Sequence, residues 1–353
     1  MNKRNLSPSD KLIVVGAFGT GNIGDDAILL GTINNLMSER GVTKENIIVF
    51  TRNPEETSSL YDLHSKRKNV MDVLKSKELV IAGGQLLQDE NNMAIKYALL
   101  GIISKMLGKK VYYNSIGVSV ITNSLGKFLT KYALNFADEV SVRDEDSRKR
   151  LENIGVKRNI EVREDPAFYL EPKDPKSMLV EIKNREGLDF GNTDVIIGFT
   201  TRVVHEKETH VKMLELLTNL LQHVVDNYQN MSILFIPFCD HTDSKTDKDI
   251  IYGKIIKSKL NFGRFYLLQE KYRPDEVMGI IGNVDLMISS RLHPIIFSTK
   301  VGTPCMGINV YEKIISFCVK NGLPLLDLND LTQSVKILDE YVVSKKILLK
   351  VDD

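Results

Sequence analysis

The chain has no tryptophan and only three cysteines in its 353 residues. Without tryptophan, any sugar-stacking surface must be built from Tyr, Phe or His. Cys239, Cys305 and Cys318 form an odd, widely spaced set. They lack the close pairs of zinc ribbons and redox motifs, so no disulfide framework is expected and a reducing cytoplasm is the better setting. Missing too is any run of about 20 apolar residues able to span a bilayer. The start leads through the short stretch 12–19 into a polar, glycine-rich turn with no convincing cleavage site, so a secretory signal is not expected. Charge of one sign is also lacking, since 47 Lys and Arg stand against 46 Asp and Glu. Holding nucleic acid by bulk charge needs a large cationic excess, which this balance excludes, while a local cationic pocket stays open.

What is present is ordinary globular material. Single cores usually stop growing before this length, so two domains are expected. Strand-length apolar runs alternate with helix-length amphipathic segments. Strands are expected at 12–17, 47–50, 79–82, 110–114 and 139–142, with helices at 25–40, 71–77, 94–107, 124–136 and 144–154. The stretch 171–194 is rich in charge, Pro and Gly and reads as a connection, with a short helix at 177–184. Alternation then restarts. Strands are expected at 195–199, 232–237, 265–268, 286–288 and 304–308, and helices at 207–227, 247–259, 273–281, 294–300 and 330–344. Such alternation implies α/β architecture with parallel sheets covered on both faces. The expectation is two doubly wound domains, 1–180 and 181–330, facing a cleft, and a closing helix and tail at 331–353. Ligands would bind at the carboxyl ends of the strands.

Five segments could carry chemistry. Gly16 to Asp26 (GAFGTGNIGDD) follows a strand and opens a helix. It suits a phosphate cradle, a plain capped turn, or contact with the polar groups of an acceptor. Gly83-Gly84-Gln85, followed by Asp89, also follows a strand, and its polar groups could hydrogen-bond a polyol. Arg143, in Ser141-Val142-Arg143, reads equally as an ion pair within the turn or as a cleft cation. Asp165, before Pro166, could pair with a cation or cap the next turn. Arg202 ends the first strand of the second domain, where a guanidinium can make a forked contact to carboxylate or phosphate. His205 and His210 read as surface residues. The most informative segment is Ser289-Ser290-Arg291-Leu292-His293-Pro294, which runs from a buried strand into a helix. It sets a cation and a titratable imidazole two residues apart, and a histidine can act as general acid near neutral pH. Lys313 follows the next strand end. His241, near Cys239, has no second spaced His or Cys set and reads as part of a polar loop rather than a metal site. No GxSxG nucleophile elbow is present.

Taken in order, Gly21-Asn22-Ile23-Gly24-Asp25, Gly83-Gly84, Ser141-Val142-Arg143, Asp165-Pro166, Arg291-Leu292-His293 and Tyr311-Glu312-Lys313 resemble the polysaccharide pyruvyl transferase family. The resemblance implies a fold similar to the two-domain GT-B glycosyltransferases. It implies transfer of the pyruvyl group of phosphoenolpyruvate to two hydroxyls of a sugar, in a polysaccharide or its lipid-linked precursor, giving a ketal and phosphate. Arg291 and His293 are then the catalytic residues, with Arg143, Arg202, Arg291, Leu292 and Lys313 on the donor. Gly21, Asn22, Asp25, Gly83, Gly84, Gln85 and Asp89 would serve the acceptor, with Asp25 or Asp89 as a candidate base. Gln85 departs from the third glycine of many relatives, which puts the acceptor side in doubt. Phosphoenolpyruvate is a co-substrate in this scheme, and neither a cofactor nor a metal is expected. Membrane contact would be peripheral at most, at the inner face, and no amphipathic anchor is visible in the sequence. Two other readings stay open: a nucleotide-sugar glycosyltransferase or epimerase on the same architecture, and a non-catalytic binding protein of that fold.

Overall fold

The computed structural model describes residues 10–191, 195–204, 206–240 and 248–344. The chain forms two compact units, Met1–Leu170 and Glu171–Asp353. The break precedes residue 180 because the helix Pro175–Glu186 packs with the second unit. Lys173 N–H donates to Asp275 O at 3.0 Å, and Asn283 donates to Pro175 O at 2.6 Å.

Among the described residues the first unit holds eight strands: β1 (Leu12–Val15), β2 (Ile47–Phe50), β3 (Ser65–Lys66), β4 (Glu78–Ala82), β5 (Gln85–Leu87), β6 (Lys110–Val118), β7 (Glu139–Val142) and β8 (Ile160–Val162). All pair in parallel, in the order β3-β2-β1-β4-β6-β7-β8, with β5 alongside β6. The sequences of β1 (LIVV) and β2 (IIVF) are apolar throughout because helices cover both faces of the sheet. Side chains such as Ile13, Ile81, Val111 and Leu134 meet in one core. β6 outruns its expected end at 114. A register shift lies between Tyr113 and Ile116, where Ser115 takes a φ of 49° and its N–H donates to Ser141 Oγ.

Among the described residues the second unit has six parallel strands: β9 (Val195–Thr200), β10 (Met231–Phe235), β11 (Phe265–Leu267), β12 (Leu286–Ser289), β13 (Cys305–Ile308) and β14 (Leu325–Leu326). Their order is β11-β10-β9-β12-β13-β14, the 3-2-1-4-5-6 arrangement of a dinucleotide-type sheet. The closing helix Leu331–Ser344 docks on the helix Lys207–Asn227. Its Asp339 accepts from Tyr228 OH at 2.7 Å and pairs with His223 at 2.9 Å. Cys239, Cys305 and Cys318 are buried thiols that form no disulfide, and burial pushes the Cys305 thiol up to about 12. His205 and His241 lie outside the described residues.

Both sheets reverse direction beside their first strand. The crevice of such a sheet opens between the carboxyl ends of the two strands flanking that reversal. Those strands are β1 and β4 in the first unit, and β9 and β12 in the second.

Candidate functional site

In the second unit, Thr200 ends β9 and pairs in register with Ser289 at the end of β12. Immediately beyond stands Arg291, at the start of the helix Leu292–Val301. Its backbone is locked, because Arg291 N–H donates to Ser289 Oγ at 2.9 Å and Ser289 Oγ donates to Arg291 O at 2.7 Å. Its guanidinium is held as firmly. Nη2 donates to Asp249 Oδ1 at 2.6 Å and Nε donates to Thr201 O at 3.3 Å. Asp249 is fully buried and its second oxygen accepts Phe238 N–H at 3.0 Å. Burial pushes the Asp249 carboxyl up, while Arg291, Phe238 N–H and Arg202 oppose that. Cys239 also hydrogen-bonds Arg291.

Arg202 is the second cation here. Its guanidinium carbon lies 4.6 Å from the centroid of the Tyr311 ring, and Nε donates to Val203 O at 3.1 Å. Burial, then the neighbouring Arg291, lowers its affinity for its proton. Lys313 Nζ reaches to 5.9 Å from the same Tyr311 ring. Among the described residues, two enclosed guanidiniums thus share the charge of one enclosed carboxylate, Asp249. The surplus positive charge favours an anion at this strand end. The helix start adds to it, since the first backbone N–H groups of a helix favour negative charge. His293 is the second residue of this helix and its Nε2 atom is shut off from solvent. Leu292 is buried, so its side chain packs. The hydroxyls of Thr200 and Ser290 are also buried there, with no hydrogen-bond partner among the described residues.

The crevice of the first unit is built differently. Asn22 caps the helix Ile23–Arg40 by accepting Gly24 N–H at 3.0 Å, which sets Asp25 and Asp26 in its first turn. Gly21 takes a φ of 82° in the loop ahead of that cap. Gly83 has a φ of 50°, and a Cβ there would come within 2.1 Å of Ile28 Cγ2. A Cβ on Gly84 would lie 3.6 Å from Asp25 Oδ1, so the Asp25 carboxylate borders the glycine pair. The two carboxylates of that turn then part ways, since Asp26 accepts from Tyr61 OH at 2.9 Å. Gln85 enters β5 and donates to Ser119 Oγ. Asp89 Oδ2 accepts from Thr122 N–H and Oγ1, both at 2.6 Å, and so anchors the approach to the helix Ser124–Phe136. The Thr122 hydroxyl and N–H hold the Asp89 carboxyl below the usual carboxylate range.

Arg143 belongs to the first unit and is buried against Gly117, where a Cβ would lie 2.9 Å from its guanidinium. Its neighbours are Asp144 at 3.4 Å and Asp165 at 3.7 Å, so two carboxylates meet its charge. Asp165 also caps its own turn, accepting Ala167 N–H at 3.0 Å. His210 on the helix Lys207–Asn227 is half-buried, accepts Val204 N–H at 3.3 Å and packs edge-on against Tyr252. No group of three His, Cys, Asp or Glu that could hold a metal occurs among the described residues.

Sequence reasoning missed Asp249, Thr201 and the role of Cys239. An acid opening an amphipathic helix reads as a favourable helix-start charge, and nothing local announces an arginine 42 residues later as its partner.

Known structures place this architecture. A putative UDP-N-acetylglucosamine 2-epimerase from Listeria monocytogenes matches with a TM-score of 0.62 at 11% identity, over 95% of this chain and 89% of that one. A UDP-GlcNAc 2-epimerase from Neisseria meningitidis, bound to UDP-GlcNAc, matches at 0.55 and 14%, over 95% and 93%. The ADP-heptose LPS heptosyltransferase II of E. coli matches at 0.53 and 10%, over 95% and 99%. The fold is therefore GT-B-like, with two parallel α/β domains. No curated protein sequence matches the chain significantly. The family model for polysaccharide pyruvyl transferase matches residues 22–311, most of the chain, and the protein belongs to that family. It is thus a transferase acting on polysaccharides.

Proposed function

We propose that the protein transfers the pyruvyl group of phosphoenolpyruvate to two hydroxyls of a sugar, in a polysaccharide or its lipid-linked precursor. The observation that carries this reading is the pair of enclosed guanidiniums, Arg291 and Arg202, facing one enclosed carboxylate at the β9–β12 crevice. The donor brings a carboxylate and a phosphate, which need convergent cations. Arg291 and Arg202 suit forked contact, and Lys313 suits point-charge contact. Arg143 is left out of this donor set, because Asp144 and Asp165 already meet its charge.

In this scheme His293 is the general acid. His293 gives a proton to the methylene carbon of the enol while the first sugar hydroxyl bonds to the carbon bearing the phosphate and loses its own proton to a base, from which His293 is reprotonated. The second hydroxyl then bonds to that carbon as the C–O bond to phosphate breaks. Its proton leaves with the phosphate or to a base, and the products are a cyclic ketal and free phosphate. Gly21, Asn22, Asp25, Gly83 and Gly84, at the crevice of the first unit, are assigned to the sugar. Asp25 is favoured over Asp89 as base, because Asp89 already holds Thr122. The reaction needs no redox cofactor. A cytoplasmic setting follows from the donor, which is an intracellular metabolite class.

The test is release of inorganic phosphate from phosphoenolpyruvate across a broad panel of sugar acceptors. Release dependent on one acceptor supports the reading. No release with any acceptor, together with no donor binding, overturns it. Tight binding of uridine diphosphate without binding of phosphoenolpyruvate would favour the nucleotide-sugar reading instead.

A further inference from the structure

Two neighbouring helices of the first unit, Met93–Met106 and Ser124–Phe136, are apolar on both sides. Their inner faces bury Ala94, Ala98, Gly101, Ala133 and Leu134 in the core. Their outer faces carry Ile103, Met106, Leu125, Phe128, Tyr132 and Phe136, which all stand exposed. Met106 is 81% exposed and Phe136 63%, far more than an incidental surface contact requires. Residues 125, 128, 132 and 136 fall on one helical stripe. Their rings form a ladder, with Phe128 and Tyr132 centred 4.5 Å apart and Tyr132 and Phe136 6.3 Å apart. Contiguous apolar surface of this kind marks an interaction site.

The charge around the stripe selects the partner. From Met93 to Ala137 the chain carries six lysines and not one acidic residue. Lys105 pairs with Asp138, just beyond this stretch, at 2.8 Å. Lys96 and Lys127 are exposed, and Lys127 and Lys131 each precede a ring of the ladder. Asp89 lies within electrostatic reach of Lys127 and Asp138 pairs with Lys105, so a two-fold contact between copies would set a mainly cationic rim against itself with few carboxylates to answer it. An anionic lipid surface answers both features at once. Apolar side chains enter the boundary below the headgroups, while lysine stems lie along it and place their ammonium groups among the phosphates.

We infer that this face docks the protein on the surface of an anionic lipid bilayer, with the Phe128–Tyr132–Phe136 ladder inserted and Lys127 and Lys131 on the headgroups. The inference does not depend on the pyruvyl reading, since binding to lipid needs no turnover.

The full chain is sedimented with phosphatidylcholine vesicles containing or lacking phosphatidylglycerol. Binding is expected only with phosphatidylglycerol, falling about tenfold or more in a Lys127→Gln/Lys131→Gln variant. A Phe128→Ser/Phe136→Ser variant should lose it while keeping its circular dichroism and melting temperature, since both positions are exposed. The absence of native tryptophan gives a second readout. Phe128→Trp introduces the sole tryptophan, which can be excited apart from the tyrosines and whose emission should shift to the blue on phosphatidylglycerol vesicles alone. The inference is overturned if the native chain fails to sediment with those vesicles, or if the serine variant sediments equally. It is also overturned if the native chain is a dimer that the serine variant converts to monomer while neither binds lipid, which would assign the face to a second copy.

Discussion

At the end of β4 the first unit places Gly83 and Gly84. At the matching end of β12 the second unit places Ser289, Ser290 and Arg291. Beyond β1 stand glycines and the Asn22 cap, whereas beyond β9 stand Thr201 and Arg202. The strand order around both crevices is the same, so the fold alone does not distinguish them. The side chains do. One crevice brings the chain's backbone close to whatever lies in it and borders that space with Asp25. The other is lined with cations held by a buried carboxylate. Strand order says where a ligand can lie, and the residues at the strand ends say which kind.

The strongest way to break this comparison is at the imidazole. His293→Gln should lower turnover by about 10²–10⁴-fold, the usual weight of a general acid, with folding unchanged by circular dichroism. Unchanged turnover would remove the chemistry from this helix start. Next comes the buried pair. Asp249→Ala leaves the Arg291 charge without its carboxylate and should cost about 3–5 kcal/mol in urea unfolding. A loss below about 1 kcal/mol would show that the pair is solvated, contrary to its burial.

The glycine crevice should respond to volume instead. Gly83→Ala meets Ile28 and should cost about 1–3 kcal/mol. Gly108→Ala has a similar positive φ but open space, so only the backbone term of about 1 kcal/mol is expected. Equal costs would mean that conformation, not close approach, explains Gly83. The smallest effect concerns Asp89. Its carboxyl is held below the ordinary value by Thr122, so its contribution to stability is present above the unfolded pKa and is lost as pH falls through the folded one. Asp89→Asn should therefore flatten the acid limb of a stability–pH curve and leave it level at neutral pH.

Much of this was legible in the sequence, for identifiable reasons. The apolar runs of β1, β2, β4, β9 and β12 are buried on both faces, so they stand out against their surroundings. The edge strands β3 and β14 have two residues each, too few to show a period, and neither was expected. The helix Pro54–Tyr61 (PEETSSLY) buries only Thr57 and Tyr61, so it carries no apolar stripe to read. Arg291 was found because a cation and a histidine, two residues apart, follow a strand end. Asp249 was not, because its partnership exists only in three dimensions. The exposed ladder shows the opposite failure. The segment 124–136 reads as an ordinary amphipathic helix, and only the structure reveals that Phe128, Tyr132 and Phe136 are left uncovered.

The central claim is that the β9–β12 crevice holds phosphoenolpyruvate. Calorimetric titration of the native chain and of an Arg202→Gln variant with phosphoenolpyruvate tests it most directly. The account predicts binding by the native chain, weakened about tenfold or more once the second guanidinium is removed. No binding by the native chain, or equal binding by both, would contradict it.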